Sequence, residues 1–115
     1  MKVNKIDHIS IAVRSIAQAR KVWEPVLGKS RPDEEYIEEK EEINVVRYWI
    51  GEVGFELMES RSPSGDVARF IDKNGEGVML LSFHVDDTRE SVRELTAREY
   101  PVLGQVRTFK NSEYA

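Results

Sequence analysis

A strand, a helix cap and a helix occur twice in this sequence, in the same order and 72 residues apart. That shift places "HISIAVRSI" (8–16) on "LLSFHVDDT" (80–88) and matches Ser10 with Ser82. Ser15 and Asp87, both of helix-capping type, also coincide. Agreement of strand, cap and helix phase at one offset indicates an internal repeat. We therefore predict an α+β fold of paired modules, each with the order strand–helix–strand–strand–strand (βαβββ).

The hydrophobic pattern predicts a complete first module. It comprises a strand at 5–13, a helix from Ser15 to Gly28 with Pro25 near its end, an exposed edge strand or loop at 33–42, and hairpin strands at 43–50 and 53–59. Gly51–Glu52 is the hairpin turn.

The second module is predicted to be short. We expect a helix at 67–74 capped by Ser64 or Asp66, a strand at 78–85, a helix from Asp86–Asp87 to Tyr100–Pro101, and at most one short strand after Val102. The prediction is a single domain over 1–115, with the first module at 1–60, a connector at 61–77 and an incomplete second module at 78–115. An incomplete module leaves a sheet edge exposed, and pairing with a second copy would cover it, so we predict a homodimer.

Composition limits the chemistry. The chain has no cysteine, so any metal would be held by histidine, carboxylates and water, which favours Mg, Mn, Co, Ni, Fe or Zn in an open site. A net charge of −4 argues against a nucleic-acid partner. No run approaches the roughly 20 apolar residues of a membrane span. The start of the chain does not read as a signal peptide, so we predict a cytoplasmic protein with no membrane partner.

Two residues in apolar strands are candidates for a site. His8 is either a core histidine with a satisfied hydrogen bond or a metal ligand. Glu56 lies between Phe55 and Leu57, which point to the opposite face of its strand. Because an isolated buried carboxylate is costly, Glu56 is a candidate ligand or acid/base group.

Three segments carry a resemblance to a known family: "KIDHISIAV" (5–13), "VGFELMESRSPSGDVARFIDKNGEG" (53–77) and "SFHVDD" (82–87). Together they resemble the vicinal-oxygen-chelate (glyoxalase/bleomycin-resistance) superfamily and, within it, the methylmalonyl-CoA epimerases. The resemblance implies paired glyoxalase-like βαβββ modules that form a cupped sheet around a divalent metal. In the epimerases the metal stabilises an enolate while carboxylates move a proton at the carbon alpha to a thioester.

Carried over residue by residue, the resemblance implies that His8 and Glu56 are metal ligands and that Glu56 also shares in proton transfer. The family's third ligand, a histidine, is replaced by Met79–Leu80, and its fourth, a glutamate on the last strand, has no counterpart. His84 has the strand parity of Leu80 but lies about 13 Å further along. The implied metal is Co, Mn, Ni, Zn or Mg, with two of its ligands missing.

Two functions follow from the resemblance. The first is a methylmalonyl-CoA-epimerase-like or glyoxalase-like metal-dependent enzyme, an isomerase or lyase, acting on a small acyl thioester or carbonyl compound. The alternative is a non-catalytic small-molecule-binding protein of the bleomycin-resistance type with a degenerate metal site. Residues with secondary expectations are Arg47 as a contact for an anionic ligand, Arg14, Lys29 and Arg31 as contacts for CoA, Glu59 as a surface residue, and Trp23 and Trp49 as core or interface residues.

Overall fold

The structure is a computed structural model that describes residues 1–109 and 112–115. The chain divides into two compact units, one formed by residues 6–82 and the other by residues 1–5 together with 83–115. Among the described residues no helix is long and apolar enough to cross a membrane.

The element order is that of an α+β fold, as predicted. The strands are β1 (Val3–Ala12), β2 (Glu34–Glu38), β3 (Ile43–Ile50), β4 (Val53–Ser60), β5 (Gly77–Val85), β6 (Arg107–Phe109) and β7 (Ser112–Tyr114). The helices are α1 (Ile16–Leu27), α2 (Asp66–Asn74) and α3 (Thr88–Ala97). The tail therefore departs from the prediction, since it holds two short strands that pair with each other where one at most was expected.

A five-stranded sheet has the order β2–β3–β4–β1–β5, which confirms β2 as an edge strand. β1 runs parallel to β4 with Ser10 opposite Glu56, and β3 runs antiparallel to β4 with Arg47 opposite Glu56. Residues directly opposite each other in neighbouring strands point to the same face. Ser10, Glu56 and Arg47 therefore form a row across three central strands.

The two faces of this sheet carry different cores. Helix α1 covers one of them, the helix face, through a cluster of Ile11, Val13, Val46, Tyr48 and Leu57 with Ile16, Ala19, Trp23 and Leu27 of the helix segment. The opposite face, which we call the site face, holds Ala12, Ile43, Val45 and Met58 packed against Val67 and Ile71 of α2. By strand alternation the row of Ser10, Glu56 and Arg47 lies on the site face, next to that apolar cluster.

The helix caps test the predicted repeat. Ser15 and Asp87 have nearly the same backbone conformation, with φ −143° and ψ 116° against φ −140° and ψ 104°. Each side chain accepts a hydrogen bond from the backbone N–H three residues later, on Gln18 and Glu90. Both predicted caps are thus confirmed, and α1 and α3 begin at matching positions of the repeat.

The structure corrects the predicted cap of α2 and shortens the predicted α3. α2 begins after Gly65, which has no capping side chain, so neither Ser64 nor Asp66 is the cap. Asp66 is instead the first residue of the helix and forms an ion pair with Arg69. α3 ends at Ala97, a few residues before the predicted end near Tyr100–Pro101, because Glu99 takes a left-handed φ of 65° and the Tyr100 N–H then bonds to the Leu95 carbonyl.

Candidate functional site

Glu56 is the most buried charged residue of the sheet, with 3% of its surface exposed. Phe55 and Leu57 belong to the helix-face core, as predicted, so alternation along β4 places the carboxylate on the site face. A charge removed from water in this way is tolerated only when it is paired and hydrogen-bonded. The partners of Glu56 therefore define the site.

Both carboxylate oxygens of Glu56 have protein partners. Oε1 accepts a hydrogen bond from Ser10 Oγ at 2.9 Å. Oε2 accepts bonds from Arg47 Nε at 2.7 Å and Tyr36 Oη at 3.2 Å, and a terminal nitrogen of Arg47 also pairs with it. No buried side-chain polar atom lacks a partner among the residues that the structure describes. The carboxylate is thus satisfied from within the chain.

Arg47 supplies the positive charge of the site. Its side chain is 17% exposed, and burial by itself would lower its pKa, but the charge and hydrogen bonds of Glu56 outweigh burial and raise it. Tyr36 is half-buried, and burial together with the nearby Glu56 charge raises its pKa well above the usual range. At neutral pH the site therefore holds a charged arginine beside a neutral phenol.

His8 lies at the edge of this cluster with 20% of its side chain exposed. Its Nδ1 is 2.8 Å from Asp7 Oδ2, a hydrogen bond that favours the tautomer with the proton on Nδ1. Its Nε2 is 3.8 Å from Glu56 Oε1, beyond hydrogen-bond distance. The structure thus brings the two predicted site residues together, and it also gives His8 the satisfied hydrogen bond of the core-histidine alternative.

Gly54 makes room for this arrangement. It lies opposite His8 in the β1–β4 pairing, two residues before Glu56 on the same face. A Cβ atom at this position would lie 3.2 Å from Arg47 Cδ, 3.2 Å from Arg47 Nε and 3.2 Å from His8 Cβ. The arginine stem therefore lies over the glycine, beside His8.

The other predicted positions contribute less to this site. Leu80 is an apolar, 43% exposed residue of β5, and Met79 packs against the site-face core. His84 belongs to the other unit, where its Nδ1 is 3.2 Å from Asn4 Nδ2. Arg14 forms an ion pair with Glu76, and Lys29 forms one with Asp33.

Three further expectations can be compared with the structure. Glu59 is half-buried and accepts bonds from the Ile16 backbone N–H and from Asn44 Nδ2, so its prediction as a surface residue is wrong. Trp23 packs in the helix-face core, as predicted. Trp49 is 37% exposed, and the Arg47 guanidinium lies 5.1 Å from the centre of its ring.

The divalent ion that the resemblance implies does not fit these donors. A group of three histidine or acidic side chains able to hold a metal is absent from residues 1–109 and 112–115. Catalytic zinc sites have three protein ligands, and the candidates here are two, His8 and Glu56. Here the carboxylate that would be the second ligand already neutralises Arg47, whose positive charge would repel an incoming ion.

Residues 7–115 match the family model described as the glyoxalase/bleomycin resistance protein/dioxygenase superfamily. The chain therefore belongs to this superfamily. It is also 35% identical over 101 residues to the uncharacterised protein YqjC of Bacillus subtilis, covering 88% of this chain and 71% of that protein.

Solved structures agree with the fold. A methylmalonyl-CoA epimerase from Mycobacterium tuberculosis superimposes with a TM-score of 0.85 at 26% identity, covering 96% of this chain and 76% of the other. A methylmalonyl-CoA epimerase in complex with methylmalonyl-CoA and NH4+ also has a TM-score of 0.85, at 21% identity, covering 95% and 80%. The predicted glyoxalase-like fold and the resemblance to epimerases are thus confirmed.

Proposed function

We propose that the protein binds a small acyl or carbonyl compound on the site face, beside Arg47 and His8, without a bound divalent metal. The observation that carries this proposal is the buried Glu56 carboxylate, whose oxygens are engaged by Arg47, Tyr36 and Ser10. The function is thus the binding-protein alternative on the superfamily fold. A methylmalonyl-CoA epimerase of the same fold was solved with methylmalonyl-CoA, which makes an acyl thioester a natural probe.

The small contribution that a buried ion pair makes to stability supports a role of the Arg47–Glu56 pair in ligand binding. Replacing a buried ion pair by apolar residues is often neutral or stabilising, so such a pair is weak evidence for stability. In this protein the pair lies on the face that α1 does not cover, next to the apolar side chains of Val45 and Met58. A guanidinium also has more N–H donors than one carboxylate uses. Arg47 can therefore keep its bond to Glu56 while it contacts a carbonyl or carboxylate oxygen of a ligand.

Thermal unfolding in the presence of a chelator tests this proposal. We expect methylmalonyl-CoA or a smaller acyl analogue to raise the melting temperature of the wild-type protein, with a stabilisation of about 2.7 kcal/mol at a ligand concentration of 100 Kd. His8→Ala should reduce the shift, because the imidazole borders the site, whereas Arg61→Ala, which loses only a bond to Asn44, should leave it unchanged. The absence of a shift with every acyl and carbonyl probe would contradict the proposal.

The Asp7–His8 hydrogen bond favours a second candidate function, proton transfer at the carbon alpha to a thioester or carbonyl group. With Nδ1 oriented by Asp7, His8 Nε2 is available as a base on the side of Glu56. Glu56 would share the transfer only if it left Arg47, since its oxygens are engaged by Arg47, Tyr36 and Ser10. The 26% identity to an epimerase is consistent with this chemistry.

Deuterium wash-in from solvent separates the two functions. A binding protein leaves the alpha proton of a chiral 2-methyl acyl thioester in place and the compound unracemised. Exchange in the presence of a chelator, lost in His8→Gln and kept in Arg61→Ala, would establish the proton-transfer function instead. Exchange that appears only after adding Co, Mn, Ni, Zn or Mg would support the metal-dependent enzyme.

We also propose that two copies of the chain associate. β5 lies at the edge of the sheet and exposes Val78, Leu80 and Leu81 by 59%, 43% and 46%. Exposed apolar edge strands readily pair with another chain. Light scattering at micromolar concentration should give a dimer mass, and Leu81→Lys should shift it toward the monomer. A monomer mass for the wild-type protein would refute this proposal.

A further inference from the structure

We infer that the Arg47 guanidinium is the built-in cation of this site and performs the electrostatic role of a divalent ion. Its nitrogens contact Glu56 Oε2, and its stem passes over Gly54 beside the His8 Cβ atom. This inference concerns the same site as the proposed function, but it does not depend on which ligand binds there.

The spacing of the two candidate metal ligands is not what opposes an ion. His8 Nε2 and Glu56 Oε1 are 3.8 Å apart. An ion with bonds of about 2.0–2.2 Å to each atom would fit between atoms at that separation. Asp7, bonded to His8 Nδ1, is also the kind of carboxylate that orients a ligating histidine. What opposes the ion, apart from the lack of a third ligand among the described residues, is the charge of Arg47 and its bonds to the carboxylate.

The chain is adapted to this arginine at two other positions. Gly54 leaves the volume over which the Arg47 stem packs, where a Cβ would come within 3.2 Å of Cδ. Tyr36 donates a hydrogen bond to the same carboxylate oxygen as Arg47. The guanidinium therefore lies in the space left by Gly54 and bonds to an oxygen that Tyr36 also binds, and its side chain is largely buried.

Removing the guanidinium should then create a metal site. Arg47→Met has similar length and no charge, and it leaves Glu56 as a buried carboxylate without a counter-ion. We expect Co²⁺ or Zn²⁺ alone to bind Arg47→Met on the order of tenfold or more tightly than the wild type, because the repulsion is gone. Calorimetry and thermal shift measure the gain.

Matched variants test whether the loss of the positive charge causes the tighter metal binding. Arg47→Lys keeps the positive charge and should show no gain, and Arg61→Met, a change of the same type at an exposed arginine, should show none either. Adding His8→Ala to Arg47→Met should abolish the gain, since it deletes a ligand.

The wild-type protein gives an independent readout should Arg47→Met fail to fold. Titrated with Co²⁺ after chelator treatment, it should show no micromolar binding by calorimetry or visible absorption. One equivalent of tightly bound Co²⁺ in the wild type, sensitive to His8→Ala, would overturn the inference. So would a folded Arg47→Met that binds the ion no better than the wild type. Neither result involves an acyl ligand, so the binding of an acyl or carbonyl compound, which the thermal shift measures separately, can hold while this inference fails.

Discussion

The sheet carries one glutamate–arginine–tyrosine cluster on each face. On the helix face Glu24 accepts bonds from Tyr48 Oη at 2.6 Å and from Arg20 Nε at 2.7 Å. On the site face Glu56 likewise accepts bonds from one arginine, Arg47, and one tyrosine, Tyr36, and it accepts a further bond from Ser10. The same three residue types thus occur on both sides of the sheet.

The clusters differ in what they connect. Glu24 and Arg20 are one turn apart on α1, and Tyr48 is on β3, so that cluster fixes the helix to the sheet. Glu56 and Arg47 are opposite each other on neighbouring strands that are already hydrogen-bonded. The Glu24 side chain is 15% exposed and the Glu56 side chain 4%. The site-face cluster therefore joins strands that already belong to one sheet, whereas the helix-face cluster joins a helix to that sheet.

The largest expected effect is on the site face. Glu56→Ala should lower the free energy of unfolding by about 3–5 kcal/mol, because it leaves Arg47 buried without a counter-ion. The double variant Glu56→Leu with Arg47→Met should recover most of that loss, since both charges are gone. Urea denaturation monitored by tryptophan fluorescence measures both. A double variant as unstable as Glu56→Ala would show that the cluster is structural.

On the helix face, apolar packing should matter more than the polar cluster. Leu57→Ala removes a fully buried side chain from beneath α1 and should cost about 2–5 kcal/mol. The matched site-face variant, Met58→Ala, tests whether the neighbouring core is held equally well. A loss for Leu57→Ala below that of any polar variant on the same face would reverse this ranking.

Tyr48→Phe should lower the free energy of unfolding by less, about 1–2 kcal/mol, because Glu24 loses one hydrogen bond but keeps its bond to Arg20. Tyr36→Phe is the matched change on the site face. Tyr36→Phe should lower the free energy of unfolding by no more than Tyr48→Phe does. The Tyr36 bond to Glu56 is longer, at 3.2 Å, and the carboxylate retains its bonds to Arg47 and Ser10. Equilibrium unfolding of the two variants compares the clusters directly, and a clearly larger loss for Tyr36→Phe would contradict this comparison.

The smallest effect is the pH dependence of the Glu24 cluster. The Tyr48 hydrogen bond, followed by the bond and charge of Arg20, lowers the pKa of Glu24 despite its burial. A carboxylate whose pKa is lowered in the folded state stabilises the protein above its ordinary value of 4.5, and the contribution is lost as the pH falls through the folded value. The stability difference between wild type and Glu24→Gln should therefore shrink below about pH 4.5. A difference that grows on acidification would refute the assignment.

The sequence was sufficient for the strands before the tail, for the caps of α1 and α3 and for the face on which Glu56 lies, because these follow from alternation and from capping chemistry. The Arg47–Glu56 ion pair could also have been predicted from the sequence. A two-residue turn at Gly51–Glu52 pairs Ile50 with Val53, and this register places Arg47 opposite Glu56. The strand register that follows from the turn length therefore predicts this ion pair without reference to any ligand.

Other parts of the site were beyond a local pattern. Ser10 and Tyr36 reach Glu56 from strands that are distant in sequence, and only the sheet order brings them together. Asp7 was seen as part of a motif, but its bond to His8 Nδ1 depends on side-chain rotamers. The prediction of the α2 cap was wrong because Ser64, Gly65 and Asp66 are all acceptable capping residues, and the local sequence pattern does not choose among them.

The contact between Gly54 and Arg47 couples the evolution of two positions that are seven residues apart. A side chain at position 54 would press on the Arg47 stem, with a Cβ 3.2 Å from Cδ, so the two residues should tend to change together among descendants of a common ancestor. Lineages that retain Arg47 should retain Gly54, and those that lose the arginine should be free to accept alanine or serine there. Under the inferred role of Arg47, this pairing would mark members of the superfamily whose site charge comes from a side chain, and their ligand binding would not vary with the supply of metal.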